Sequence, residues 1–276
     1  MNSISHAQNG SDTYVLGTSE QARKNLDYQH ELMANESFKQ LQKAGLKKDQ
    51  IVWDIGCGSG AMTEYIARTV GDNGKVFAVD ASKEQLENTR KRISDAGLKN
   101  VIFILGDIQE NQNWPVEKAD IVYSRLVLMH VTKANLALIK MKSLLKTGGV
   151  VSLQESAFSA DHTSDYNPVV KDFFASLVKL GISKGVDFDI GQKLPALCKE
   201  IGFQKIEHYE VQHHYSAKEV KLLVLSRIDE MKDTFIEADI ADEKKISDWK
   251  NLMLPSSEND QSFYLTSTQY HILAWK

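Results

Sequence analysis

Cysteine is scarce in the 276-residue chain, which has two, Cys57 and Cys198. Two thiols that far apart build no disulfide framework and lack metal-ligand spacing, so the expectation is a reducing compartment and no metal site. Long apolar runs are missing as well. No stretch approaches the ~18 apolar residues of a membrane span. The opening segment MNSISHAQNGSD has neither a basic patch nor the apolar core of a secretory signal, which makes a cytoplasmic protein without a membrane span the expectation. Nor is there a run of Lys and Arg that tracks a phosphate backbone. The formal net charge is −4 and the pI about 6.1, which favours a small-molecule partner over nucleic acid. Internal repeats and low-complexity tracts are absent too.

What the chain does have is ordinary core material: 42% hydrophobic and 25% charged residues, enough for a buried α/β core with an appended part. Helical periodicity runs from Glu20 to Gly45, and Gly45 is a natural stop. Strands and helices then alternate. IVWDI (51–55), KVFAVD (75–80), VIFILGD (101–107), ADIVYSR (119–125) and VVSLQE (150–155) read as strands. Helices fill 61–70, 82–97 and roughly 133–146, with TGG (147–149) turning the chain into the fifth strand. Ser82 and Gln85 form a capping-box pair at the start of the third helix, and Gly97 closes it. Apolar strands separated by amphipathic helices indicate a parallel sheet with right-handed crossovers.

Beyond Glu155 the rhythm slackens. Helices are expected near 168–181 and 190–201, and FQKIEHYEV (203–211) alternates like a sixth strand. From Ser216 to about Lys250 the pattern is helical, with one apolar stripe through Val220, Val224, Ile228, Met231 and Phe235. SFYLTSTQYHILAWK (262–276) alternates again as a seventh strand. The domain division is therefore an N-terminal helical cap (1–45), a core (46–215 and 258–276), and a helical insertion (216–257) that serves as a lid or a dimer surface.

Three glycines, Gly56, Gly58 and Gly60, follow the first strand. They let the chain turn tightly, a ligand approach the backbone, and the next helix start close to the sheet. Two further acids stand at strand ends. Asp80 is placed to accept both hydroxyls of a ribose, and Asp107 to accept from an adenine amino group. Asp54, inside the first strand, repels a pyrophosphate but suits a cationic ammonium. S-adenosylmethionine carries that ammonium, a ribose and an adenine.

Here the sequence resembles the class I S-adenosylmethionine-dependent methyltransferases over about 51–155. VWDIGCGSG, VFAVD, LGD, SRLVLMH (124–130) and LKTGGVVSLQE are similar to the successive motifs of that family. The resemblance implies a Rossmann-like seven-stranded, mostly parallel sheet with helices on both faces and an antiparallel last strand. It also implies S-adenosylmethionine as cofactor. The cofactor site it implies adds Cys57, Ala81, Gln85, Gly106, Ile108 and Arg125 to the glycines and the three acids. YVLGTSEQARKNLDYQ (14–29) resembles an N-terminal motif, Tyr-x-x-Gly then Glu-x-x-Arg, of a subgroup that methylates small molecules and cofactor precursors. That resemblance implies that Tyr14, Arg23 and Gln29 close the pocket.

The methyl acceptor is expected to be a small molecule. His130 and Glu155 are candidate catalytic groups, as base or acceptor contact, against a packing role for His130 and pairing with Arg125 for Glu155. Asp161 and His162 rank below them. Cys57 reads as a small residue the loop needs, and His213–His214 as structural. Phe173, Phe174, Tyr264 and Trp275 either wall an acceptor pocket or belong to the core. Two rival readings use the same glycines: a nicotinamide-dependent oxidoreductase and a cofactor-binding module without catalysis. A homodimer is compatible with all three.

Overall fold

Strand β1 (Ile51–Ile55) is the centre from which the sheet grows in both directions. It pairs in parallel with β2 (Lys75–Asp80) on one side and β4 (Ala119–Arg125) on the other. In this computed structural model the described residues are 20–110, 114–115, 117–164, 167–253, 257, 259, 261–262 and 264–276, with side chains from 25 onward. β3 (Val101–Leu105) extends the sheet beyond β2. As the edge strand it leaves Ile102 and Leu105 exposed.

On the far side β5 (Leu145–Ser156) pairs in parallel with β4, then β8 (Tyr264–Trp275) runs antiparallel to β5. β7 (Lys205–Ser216) lies along the other edge of β8 through its whole length. The expected seven strands are present in a Rossmann-like order, and a two-residue β6 (His162–Thr163) adds an eighth beside the start of β8. The expected sixth strand starts two residues later than read and continues to Ser216, whose hydroxyl caps the next helix. TGG is not a turn. It lies inside β5, where the register with β4 slips, Gly148 has φ 77° and Gly149 leaves no room for a Cβ against Ala119 O and Asp120 O.

Helices α2 (Ala61–Val70), α3 (Lys83–Asp95) and α4 (Ala134–Leu144) make the crossovers. α1 (Glu20–Lys43) sends Gln40 into the sheet, where its amide donates to Leu153 O at 2.8 Å and Ile272 O at 3.2 Å. The main core spans Trp53, Phe77, Val122, Leu138, Val151 and Ile272 and runs on without a break into the later helices.

Those later helices are α5 (Pro168–Ser183), α6 (Ile190–Glu200), α7 (Ala217–Val220), α8 (Ser226–Glu237) and α9 (Glu243–Leu252). A π-helical turn, Lys221–Leu225, joins α7 to α8. The helical stretch expected over 216–250 thus breaks after Glu237, where Asp239 takes φ 55° and turns the chain back as α9. The apolar stripe finds its partner in α5: Phe235 packs edge-on against Trp249, and both meet Phe173. Trp249 Nε1 donates to Asp172 at 2.8 Å. Phe173 and Phe174 are therefore core residues, Tyr264 is exposed, and Trp275 lies partly buried under Lys205. No helix among the described residues is long and apolar enough to cross a membrane.

Phe235 is fully buried. Phe235→Ala is expected to cost about 3–5 kcal/mol, the range for emptying an aromatic core site, as measured by urea unfolding.

Candidate functional site

The carboxyl ends of β1, β2, β3, β4 and β5 open into one cavity of about 800 Å³. That is within the ~300–1,000 Å³ range of small-ligand sites. Gly56 and Gly58, with φ 74° and 54°, form its floor. A Cβ on Gly56 would lie 2.2 Å from Val127 Cγ2, whereas one on Gly58 would meet nothing within 4 Å. Gly56 thus lets the segment after β4 press on the loop, and Gly58 leaves backbone open to a ligand. Gly60 does neither. It lies off the cavity wall, and its missing Cβ lets α3 come close at Thr89, 2.9 Å from where a Cβ would stand. Its expected cofactor contact is corrected to helix packing.

Asp80 ends β2 with both oxygens engaged: Gly58 N–H donates to Oδ2 at 2.9 Å and Ser82 N–H to Oδ1 at 2.8 Å. A carboxylate has about four acceptor positions, so room for a further donor remains. Burial raises its pKa, against amide hydrogens that lower it. Asp107 is oriented by Gln109, whose N–H donates to Oδ1 at 2.8 Å. Gln109 in turn accepts from Lys133 N–H at 2.8 Å and itself lines the cavity, a role sequence reading missed. Ala81, Gly106 and Ile108 stand on the wall beside these acids. Gln85 does not. Its backbone N–H donates to Ser82 Oγ, but its buried side-chain amide has no hydrogen-bond partner among the described residues, so the capping box is half made and the expected cofactor contact is withdrawn.

Asp54 is 2% exposed and accepts from Thr63 Oγ1 at 2.6 Å. Burial pushes its pKa up to about 6, with the Thr63 hydrogen bond and the Arg125 charge acting the other way. Arg125 lines the same cavity and donates to Ser37 Oγ at 3.1 Å beside His30 Nδ1 at 3.2 Å. His30 is held neutral, its pKa lowered to about 4 by burial and by Arg125. Cys57 is at the floor, but burial raises its thiol well above the ordinary range, so it is no nucleophile.

Gln29, on α1, lines the cavity. Tyr14 and the side chain of Arg23 lie outside the described residues. α1 is pinned from two directions. Asp27 accepts from Arg92 at 2.7 Å, and the same guanidinium donates to Ser59 O at 2.8 Å. Asn25 donates to Ser226 Oγ at 3.1 Å and Glu230 Oε1 at 2.9 Å. Helix α1 therefore bridges the glycine loop and the insertion, and Arg227 of α8 forms part of the cavity wall.

Glu155 is corrected from a candidate catalytic group. It is fully buried, lies behind the cavity wall and does not pair with Arg125. Its Oε1 accepts from Val127 N–H at 2.9 Å and Leu128 N–H at 2.7 Å, and its Oε2 from Met129 N–H at 3.3 Å. Burial lifts its pKa to about 7 against those three donors. His130, at the end of the turn so held, does line the cavity. Burial and the Arg227 charge lower its pKa to about 3, which makes it a weak base and leaves it neutral near pH 7. Asp161 is buried and accepts from Thr268 N–H at 3.0 Å, while His162 is exposed. His213 and His214 bond Gln269 and Thr266 across the strand pair. No cluster of metal-ligand type occurs among the described residues.

A family model falls on the part of the chain that builds this cavity. Residues 46–178 match the family model of a methyltransferase domain. Over residues 46–178 the chain is a class I S-adenosylmethionine-dependent methyltransferase domain. Among curated relatives, the chain is 30% identical over 109 residues to aklanonic acid methyltransferase DauC of a Streptomyces species, covering 40% of this chain and 49% of that protein. It is 26% identical over 182 residues to the ubiquinone/menaquinone biosynthesis C-methyltransferase UbiE of Vibrio campbellii, covering 61% and 70%. Its fold is similar to that of Haemonchus contortus phosphoethanolamine N-methyltransferase 2, with TM-score 0.59 and 18% identity over 95% of this chain and 59% of the other. S-adenosylmethionine is the cofactor of this methyltransferase domain.

Two substitutions separate the roles of the buried acids. Asp54 carries a folded-state pKa raised from 3.8 to about 6. Its stability contribution is therefore complete below pH 4 and lost as the pH rises through 6, a shift of roughly two units or about 3 kcal/mol. Asp54→Asn is expected to melt above the unliganded wild type at pH 7.5, with the gain vanishing near pH 4. Glu155→Gln turns one acceptor into a donor that faces an amide hydrogen. It is expected to cost about 1–3 kcal/mol by denaturant unfolding and to weaken S-adenosylhomocysteine binding by calorimetry.

Proposed function

We propose that the protein transfers the methyl group of S-adenosylmethionine to a small-molecule acceptor by in-line displacement, in the cytosol. The observation that carries this reading is the gathering of Asp54, Asp80 and Asp107 around the bare amides of Gly56 and Gly58 in one cavity. The residues fit the cofactor on their own chemistry. Asp54 is a carboxylate whose burial calls for a cation, and Asp80 has acceptor capacity left beside its backbone amides. In this reading Asp54 holds the ammonium, Asp80 the ribose hydroxyls, and Asp107 the adenine amino group.

Bound there, S-adenosylmethionine supplies an electrophilic methyl on a sulfonium. The chain's own contribution is alignment and exclusion of water, which for well-oriented reactants removes roughly 7–11 kcal/mol of barrier. Met129, Val131 and Phe158 give the cavity its dry wall. Neutral His130 serves as a hydrogen-bonding contact rather than the proton acceptor. A small acceptor is favoured by the size of the cavity and by what DauC and UbiE are named for, at low identity.

Asp80→Ala is expected to weaken S-adenosylhomocysteine at least tenfold in calorimetry, and unchanged affinity sinks the site assignment. Because the ammonium needs Asp54 ionised, wild-type affinity is also expected to fall as the pH drops from 7 to 5. A change in nicotinamide absorbance, with no S-adenosylhomocysteine binding, would restore the oxidoreductase reading.

A further inference from the structure

The cavity ends on an aromatic wall, and a second pocket begins on the other side of it. In the reading above the cofactor is held by Asp54 in β1, Asp80 at the end of β2 and Asp107 just beyond β3. That leaves the acceptor the end over β4 and β5, where Met129, His130 and Phe158 form the wall. His130 and Phe158 both rest on the ring of Phe188, at centroid distances of 5.7 Å and 5.4 Å. Phe188 in turn lines a pocket of about 370 Å³ with Val178, Ile182 and Val186. Its ring therefore touches the wall of the first cavity and is itself wall of the second.

The placement of that ring is built into the fold. Glycine weakens a helix interior relative to alanine, yet Gly181 stands within α5. A Cβ there would lie 3.1 Å from Phe188 Cδ2 and 3.3 Å from Cγ, so the bare stretch of helix is what lets the ring lie against α5. The backbone around Phe188 is held separately. Val186 N–H donates to Gly181 O at 2.9 Å, Phe158 N–H to Phe188 O at 3.3 Å, and Ser159 N–H to Asp189 Oδ1 at 2.8 Å. None of these bonds uses the ring, which is 3% exposed and acts as a partition.

We propose that Phe188 determines how long an apolar acceptor the site admits: its ring sets the depth of the acceptor end, and a smaller side chain at 188 joins that end to the pocket beside α5. This inference rests on the methyltransferase reading and assigns the same site a specificity-determining residue. Each methylene that an acceptor buries in an apolar site tightens binding about fourfold. The gain stops where the tail meets the ring, because a close-packed aromatic wall has no void to give up and overpacking it is unfavourable. Beyond the ring the apolar lining resumes with Val178, Ile182 and Val186, and Asp187 and Lys193 pair at the rim.

The test uses the full chain saturated with S-adenosylhomocysteine, titrated calorimetrically with 4-alkylphenols from ethyl to hexyl. Wild type is expected to tighten about fourfold per methylene and then to level off within the series. Phe188→Ala is expected to move that limit outward by two methylenes or more, and Phe188→Leu by one. Val178→Phe added to Phe188→Ala fills the outer pocket and is expected to bring the limit back. S-adenosylhomocysteine affinity is expected to stay within twofold throughout, and if Phe188→Ala fails to fold, Phe188→Leu carries the test. A limit that stays in place in the folded variants, a wild-type series without a limit, or no binding of any member overturns the proposal. So does loss of S-adenosylhomocysteine binding in both single variants at 188, because that makes the ring a support of the cofactor site. Wild type that fails to bind S-adenosylhomocysteine defeats the methyltransferase reading instead, and the same titration shows it before any phenol is added.

Discussion

The carboxylate of Glu155 bonded to three successive amide hydrogens is the interaction on which the site's shape depends. It fixes the turn after β4, and that turn seats Val127 on Gly56, where no Cβ leaves room for it. The glycine loop then passes the constraint on, because Gly58 N–H is bonded to Asp80. One buried acid at the end of β5 thereby sets the relation between the ends of β4, β1 and β2. An ionised carboxyl is costly to bury, and the three amide dipoles offset that cost.

Much of the core was legible because its signals are local. Apolar strands alternate with amphipathic helices after β1, β2 and β4, and that alternation indicates the parallel order. Asp54, Asp80 and Asp107 were also legible, since a strand-end position tells which edge of the sheet a side chain joins. Glu155 was placed near the right edge but given the wrong work. A sequence does not say whether an acid at a strand end faces the opening or turns back to cap a turn. Gln85 and Gly60 failed for a similar reason, one turned inward and the other used up by the approach of Thr89.

The contacts least visible in sequence are those between segments far apart. Arg92 joins Asp27 to Ser59 O, Asn25 reaches Ser226 and Glu230, and Gln109 ties Asp107 to the start of α4. Each links elements whose relative placement is a product of folding, so no spacing rule announces it. The insertion shows the same limit. Its apolar stripe was plain, but its target on α5 was not, nor was the break after Glu237 that lets α9 complete the aromatic cluster.

The π-helical turn at Lys221–Leu225 has a consequence for the wall of the cavity. A π turn is wider than an α turn, so everything downstream is rotated relative to a regular helix. Loss of one residue there would leave a continuous helix, yet swing Arg227 by about 100° about its axis. Which face of α8 borders the cavity is thus set partly by helical pitch.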